Sequence, residues 1–97
     1  MANLCENTLY VCSEDPFNIR KVLKYFDEHF SDYDYDIQDN SIDIYFSSKW
    51  AFPESEMNEL FDLIPNKEDI YMRCLSVEYG NLYHALWVCD ENGWHEV

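Results

Sequence analysis

With 97 residues, the chain is long enough for one domain with one hydrophobic core. Hydrophobic residues make up 47% of it and aromatic residues 18%, which excludes a disordered segment of the weakly hydrophobic kind. Twenty acidic residues against 6 basic ones give a formal net charge of −14. This charge disfavours direct binding of nucleic acid or of an anionic membrane, and it favours basic proteins as partners.

Nothing in the sequence predicts export or membrane insertion. No apolar run approaches the ~20 residues that a transmembrane helix needs. Residues 1–6 contain neither a basic region nor an apolar core, so they do not resemble a signal peptide. We therefore expect a cytoplasmic protein in which the cysteines are reduced thiols, packed mostly in or beside strands: Cys5, Cys12, Cys74 and Cys89.

The first third of the chain predicts a strand and then an amphipathic helix. Residues 7–13 are rich in β-forming side chains and favour a strand. Asp15 and Pro16 are typical of a helix start, an N-cap followed by proline. Apolar residues follow with helical spacing, at Ile19, Val22, Leu23, Phe26 and Phe30. The opposite face of this helix is basic, with Arg20, Lys21 and Lys24.

Segment 33–46 alternates polar and apolar residues on both sides of Asp39-Asn40 and predicts a β-hairpin. Asp and Asn can take the positive φ that tight hairpin turns require. A two-residue loop here would pair Asp36 with Asp43 and place them on one sheet face with Asp34. The other face would be apolar, formed by Tyr33, Tyr35, Ile37, Ile42, Ile44 and Phe46.

A second helix and further strands complete the chain. This helix is predicted from the helical spacing of Met57, Leu60, Phe61 and Ile64, and Pro65 stops it. Its outer side is acidic, with Glu54, Glu56, Glu59 and Asp62. Strands are predicted over 70–79 and 82–89, joined by a Gly80-Asn81 turn, and an Asn92-Gly93 turn returns residues 94–97 as an edge strand.

The order of these elements predicts the fold. It is β-α-β-β-α-β with one or two appended strands, the order of a split βαβ, ferredoxin-like plait of the α+β class. In that arrangement two helices cover one face of an antiparallel sheet and leave the other face open. We expect a single domain over residues 1–97 with an additional C-terminal strand or hairpin.

Two short segments resemble a known family. Residues 3–9, Asn-Leu-Cys-Glu-Asn-Thr-Leu, resemble the N-W-C-x-N-x-L opening of the YubB-type ferredoxin-like family of plasmid and phage proteins, with Leu4 at the usual tryptophan. Residues 47–53, Ser-Ser-Lys-Trp-Ala-Phe-Pro, resemble its T-x-W-x-P-P segment, with Phe52 at the first proline. The resemblance implies a ferredoxin-like fold and an origin on a mobile element, and it transfers no catalytic residue.

The aspartates of the hairpin are the main functional candidates. Aspartate is a poor strand former, and like charges directly opposite in a sheet destabilise it by up to ~1 kcal/mol. Such departures from local preference are expected where function requires them. Combined with acids of the second helix, the hairpin could imitate the charge of a phosphate backbone. The predicted partner-binding residues are Asp34, Asp36, Asp39, Asp43, Tyr45, Glu56 and Glu59. The alternative interpretation is that these charges protect a sheet edge against aggregation.

The sequence contains only partial patterns of a metal site or of a catalytic site. The hairpin aspartates are oxygen ligands that suit Ca²⁺ or Mg²⁺, but Ile37 stands where an EF-hand loop needs glycine, so no metal is assigned. His29, His84 and His95 belong to no catalytic signature, so no catalytic residue is assigned.

Aromatic residues leave an RNA-binding alternative open. A ferredoxin-like sheet can stack bases on outward-facing rings, and the candidate rings are Tyr10, Tyr45, Tyr83 and Trp87. Six basic residues cannot neutralise a phosphate chain against 20 acids, so the same rings suit a protein interface better.

The sequence therefore predicts a binding protein without enzymatic activity or cofactor. We expect an acidic accessory protein of a phage or other mobile element that inhibits a basic nucleic-acid-binding protein of the host, as an anti-CRISPR-like or anti-restriction DNA mimic would. It would act by competing for the groove that holds nucleic acid. The alternative is a structural module that self-associates through its sheet, for example as a homodimer, without an inhibitory role.

Overall fold

Six antiparallel strands and two α-helices form the described part of the chain, residues 4–80 and 82–97 of this computed structural model. The strands are β1 (Leu4–Cys12), β2 (Tyr33–Gln38), β3 (Ser41–Lys49), β4 (Tyr71–Glu78), β5 (Tyr83–Asp90) and β6 (Gly93–Glu96). The helices are α1 (Pro16–His29) and α2 (Glu54–Leu63), and a short 3₁₀ turn covers Lys67–Asp69. The α+β class and the predicted order of elements are confirmed.

The strands form one sheet in the order β2-β3-β1-β4-β5-β6, so β1 lies inside the sheet and β2 and β6 are its edges. Every neighbouring pair is antiparallel. β1 begins at Leu4, three residues earlier than predicted, because the alternation of exposed and buried side chains already starts there. Asn3 and Asn81 lie outside the described residues. Asn3 is the first residue of the family-like segment, and Asn81 is part of the predicted Gly80-Asn81 turn.

Both helices pack on the same face of the sheet, which is called the covered face below. In β1, β3 and β4, alternate residues point into it and are mostly buried, as the period of two in a strand requires. The core consists of strand residues, one stripe from each helix and three residues of the connections: Leu9, Val11, Val22, Tyr25, Phe26, Ile42, Ile44, Phe46, Phe52, Met57, Leu60, Ile64, Ile70, Met72, Cys74 and Cys89. Neither helix, within the described residues, is long and apolar enough to cross a membrane.

The start of α1 is as predicted. Asp15 is the N-cap, and its carboxylate accepts a hydrogen bond of 2.9 Å from the backbone N–H of Phe17, while Pro16 occupies the first helical position. Two buried residues of this helix escaped the periodicity, Asn18 and Tyr25. Asn18 is polar and Tyr25 carries a polar hydroxyl, so a search for purely apolar spacing passes over them.

Two turns differ from their predicted geometry. The β2–β3 hairpin has the predicted two-residue loop Asp39-Asn40, but neither residue takes a positive φ. In the last hairpin Asp90 pairs with Gly93, so the loop is Glu91-Asn92 and not Asn92-Gly93. Gly93 has a φ of +102° directly after the loop, a conformation that glycine adopts without steric cost.

Candidate partner-binding face

The second face of the sheet carries no helix and is called the open face below. Its side chains follow from the strand register, because directly paired residues point to the same side. Across its middle the row reads Asp36, Asp43, Tyr10, Arg73 and Val88. The open face is therefore acidic at the β2 edge, aromatic and basic at the centre, and apolar towards β5.

The acidic edge is the group of carboxylates on and beside the β2–β3 hairpin: Asp32, Asp34, Asp36, Asp39 and Asp43. Asp36 lies directly opposite Asp43 and Asp34 opposite Tyr45, as the sequence predicted. Asp43 is half-buried and the other four are exposed. In the described chain none of the five forms an ion pair. The charge is therefore presented to solvent and not neutralised within the fold.

The acidic edge lies in a stretch of chain that has no basic residue. From residue 25 to residue 48 the sequence contains no lysine or arginine but seven acids, Asp27, Glu28, Asp32, Asp34, Asp36, Asp39 and Asp43. Five of these seven form the acidic edge. This segment therefore contributes acids and no lysine or arginine to the edge, where Arg20 of α1 lines one groove together with Asp39.

A depression of about 370 Å³ lies at one end of the acidic edge. Its lining includes three carboxylates, those of Glu6, Asp32 and Asp34, together with Tyr45 and Thr8. The register places Glu6 opposite Ser47 on the open face, two residues along from Thr8, which is opposite Tyr45. This end of the face is thus concave, negative and bordered by one exposed tyrosine ring.

Arg73 marks the inner limit of the acidic edge. Its guanidinium carbon lies 4.4 Å from the centroid of the Tyr10 ring and 6.0 Å from that of Tyr71. Arg73 and Asp43 line a common depression of about 380 Å³, together with Leu75 and Leu86. Cation–π contacts hold the guanidinium over the centre of the sheet, away from the edge strand.

Two of the predicted partner-binding residues lie elsewhere. Glu56 and Glu59 are on α2, which packs on the covered face, so the sheet separates them from the acidic edge. Glu59 also has partners of its own: it accepts a hydrogen bond of 3.1 Å from the Tyr25 hydroxyl and lies 3.4 Å from Nε2 of His29. Burial and this carboxylate raise the pKa of Tyr25 well above its usual range. The acids of the predicted array are therefore divided between the hairpin and the helix side of the sheet.

The aromatic residues divide between the two faces. Tyr10 and Tyr45 lie on the open face, as expected for an interface. Tyr83 and Trp87 lie on the covered face, contrary to the sequence-based expectation, because they pair with Glu78 and Cys74. Trp87 stacks on Phe52 with ring centroids 4.5 Å apart, and its indole N–H is buried without a hydrogen-bond partner among the described residues.

Trp50 is an exposed aromatic residue that the sequence-based search did not select. It directly follows β3 and has a φ of +71°, which is uncommon for a residue with a bulky side chain. Its neighbour Ala51 closes the turn with a backbone hydrogen bond of 2.8 Å to Lys49. The sequence of Ser47–Pro53 shows only the family resemblance, whereas the backbone shows this strained, exposed tryptophan.

Only one of the four cysteine thiols lies on the open face, and it is at the margin of that face. All four cysteines are free, and Cys5, Cys74 and Cys89 are buried on the covered side. Burial raises the pKa of Cys5, and it raises the pKa of both Cys74 and Cys89 to about 12. Cys12 alone is half-buried, and it pairs with Ser41 and Tyr71 on the open face. Among the described residues, no three His, Cys, Asp or Glu side chains are grouped to hold a metal ion.

We therefore expect a thiol reagent to modify the native protein at Cys12 alone. Mass spectrometry after brief iodoacetamide treatment at pH 8 should show one adduct, and four after unfolding in urea. Because burial raises the pKa of Cys74 and Cys89 from 9.0 to about 12, these two thiols lose their protons in the unfolded state first as pH rises. The free energy of unfolding should thus decrease between about pH 9 and pH 12. Equal labelling of Cys12 and Cys74 in the native protein would contradict this burial.

The chain was also compared with known proteins. No family model, no curated protein and no solved structure matches it. The resemblance to the YubB-type family therefore stays a prediction from two short segments, and the evidence on function is the charge and register of the open face.

Proposed function

We propose that this chain is a binding protein that places its acidic edge on the basic nucleic-acid-binding surface of another protein and thereby inhibits it. The partner would be a host protein or nucleoprotein complex that normally holds nucleic acid. An anti-CRISPR-like or anti-restriction role on a phage or other mobile element is the form of this function that the family resemblance suggests. No enzymatic step and no cofactor is part of the proposal.

The observation that carries the proposal is the unpaired acidic edge. Asp34, Asp36 and Asp43 project from one sheet face without an ion-pair partner in the described chain, although two of them face each other. Edge protection would need fewer charges, because a charge on the edge strand itself already blunts pairing. Asp43 is on β3, the second strand in, where it protects no edge. Its carboxylate adds repulsion to Asp36 and contributes to a dense negative zone.

The spacing of these charges is compatible with a phosphate-binding groove. Residues two apart on a strand are separated by about 6.8 Å, so Asp34 and Asp36 form a short regular row of negative charge. A basic groove would attract this row over distance and accelerate the encounter, with strong dependence on ionic strength. Tyr45, between Asp34 and Thr8 across the strands, would supply an aromatic contact beside the charges.

We further propose that the first four strands and the two helices form a ferredoxin-like plait. The strand order β2-β3-β1-β4 and the position of both helices on one face support it. Strands β5 and β6 would then be an extension of the plait beside β4, which leaves β2 as the free edge of the original motif.

The test is capture of a DNA-displaceable partner with the variant D34N/D36N/D43N. Immobilised native protein is expected to capture a host protein that added duplex DNA releases, and the triple variant should capture at least about tenfold less of it. The variant should be as stable as the native protein or slightly more so, since the Asp36–Asp43 repulsion disappears. Urea unfolding checks this second expectation.

The matched control removes the same charge from the other side of the sheet. Glu54, Glu56 and Asp62 are exposed on α2, and the variant E54Q/E56Q/D62N changes the net charge equally. This control should keep the partner. If the two triple variants lose it equally, binding depends on total charge and the acidic edge has no special role. If both keep it, the proposal is wrong.

Self-association through the open face is a second candidate function, and one observation favours it. The β4–β5 half of this face carries apolar side chains beside Arg73 and His84, and Leu75 and Leu86 are 47% and 37% exposed. A homodimer through this half should persist at about 1 M salt, where charges are screened within ~3 Å. Sedimentation of the native protein and of L75S at high salt distinguishes this candidate from charge-driven binding, which the same salt would abolish.

A further inference from the structure

β2 is a sheet edge with free backbone groups. No described strand pairs with its outer side, and neighbouring residues of a strand direct their N–H and C=O groups alternately to its two sides. Every second residue of β2 therefore offers a hydrogen-bond donor and an acceptor to an additional strand. The segment Tyr33–Gln38 contains no proline, lysine or arginine, so it lacks the usual devices that block an edge except its two aspartates.

On the helix side of the sheet, β2 carries apolar side chains that neither α1 nor α2 covers. Tyr35 and Ile37 point to the helix side of the sheet and are 48% and 56% exposed, because α1 does not reach over them. Ile37 lines an apolar groove of about 250 Å³ between the hairpin and α1, together with Ile19 and Leu23. An additional strand beside β2 would place alternate side chains at this groove, where apolar groups would replace water.

The charges on the opposite side of β2 decide what such a strand would carry. Asp34 and Asp36 point to the open face, so the alternate side chains of an added strand would lie beside them. Opposite charges in that position stabilise a strand pair, and like charges destabilise it. A second copy of β2 would bring aspartates against aspartates, which argues against self-pairing at this edge. The suitable occupant therefore has lysine or arginine at every second position.

From these observations we infer that β2 accepts, as an added strand, an extended segment of the partner protein in which basic and apolar residues alternate. Backbone hydrogen bonds to β2 would hold the segment, the basic side chains would lie along Asp34 and Asp36, and the apolar ones would enter the groove beside Ile37. This inference rests on the proposed function, since it specifies how the basic partner is recognised.

Two synthetic peptides of the same composition test the inference. In the first, lysine and valine alternate; in the second, all lysines precede all valines, so that the charge is equal and the alternation is lost. The alternating peptide should bind at least about tenfold more tightly by titration calorimetry. It should also slow the hydrogen exchange of backbone amides in Tyr33–Gln38, which charge attraction alone would not do.

Protein variants localise the effect to this edge. I37N should weaken binding of the alternating peptide several-fold and leave the second peptide unaffected. L63N is the matched control, because Leu63 is 47% exposed on α2, away from β2. This substitution should leave the affinity for both peptides unchanged. D34N/D36N should weaken both peptides.

The outcomes separate the inference from the proposed function. Equal affinity for the two peptides, or binding without protection of β2 amides, would overturn strand addition, and the proposed function would stand as long as D34N/D36N still weakens binding. If D34N/D36N binds both peptides as well as the native protein does, the acidic edge does not recognise basic partners and both ideas fail together.

Discussion

Replacing Asn18 with alanine is expected to destabilise the protein by about 3–4 kcal/mol, a large part of the stability of a domain of this size. Asn18 is fully buried on α1. Its amide donates to the backbone oxygens of Asn66 and Asp69, at 2.8 and 3.0 Å, and its oxygen accepts from the backbone N–H of Asn66 at 2.9 Å. Alanine would leave the backbone N–H of Asn66 without its partner, at a cost of about 1–3 kcal/mol. The Asp69 oxygen keeps the Ser13 hydroxyl and the Asn66 oxygen keeps the Asp69 N–H, so each bond lost at these two carbonyls costs about 0.5–1.5 kcal/mol.

Urea unfolding followed by tryptophan fluorescence measures this loss as a lower midpoint with an unchanged slope. N58A is the control, because Asn58 is exposed on α2 and the same substitution there should shift stability by no more than about 0.5 kcal/mol. A similar small effect for N18A would show that water replaces the side chain in this network. The hydrogen bonds between the start of α1 and the connection from α2 to β4 would then contribute less to stability than their distances indicate.

Replacing Phe26 with alanine is expected to cost about 3–5 kcal/mol and to loosen the hairpin that carries the acidic edge. The ring is fully buried and packs against Phe30 and Phe46, with centroids 4.7 and 4.9 Å apart, and against Tyr33 of β2 at 5.5 Å. Removing it leaves a cavity where α1 meets β2 and β3. Calorimetry should show a lower Tm, and amide exchange in β2 should accelerate more than in β4.

Phe17 is the control for this second prediction. It lies on the same helix but is exposed, so F17A should change the free energy of unfolding by less than about 1 kcal/mol. If F26A accelerates exchange equally in β2 and β4, the aromatic cluster stabilises the whole sheet and not the hairpin in particular. The acidic edge would then depend on global stability alone.

Much of the fold could be predicted because the signals are local. The N-cap Asp15 with Pro16 specifies the start of α1, and the period of two on both sides of Asp39-Asn40 specifies the β2–β3 register, since a slip by one residue would expose Ile42 and Ile44. The pairing of Asp36 with Asp43 follows from that register alone.

Other features depend on contacts between distant segments. Asn18 and Tyr25 are buried by partners 34 to 51 residues away, which no helical periodicity reveals. Trp87 packs inward on Phe52 because β5 extends the sheet under the turn that precedes α2. The alternating sequence of β5 by itself allows Trp87 to point to either face of the sheet.

By itself, the sequence determined the net charge, the order of the elements, the start of α1 and the register of the hairpin, because each depends on neighbours along the chain. Only the tertiary structure decided which acids share a surface. Both helices must cover the apolar side of the sheet to bury their own apolar stripes, so Glu56 and Glu59 point away from the open face. Asp34, Asp36 and Asp43 remain together on that face because directly paired strand residues always point to the same side.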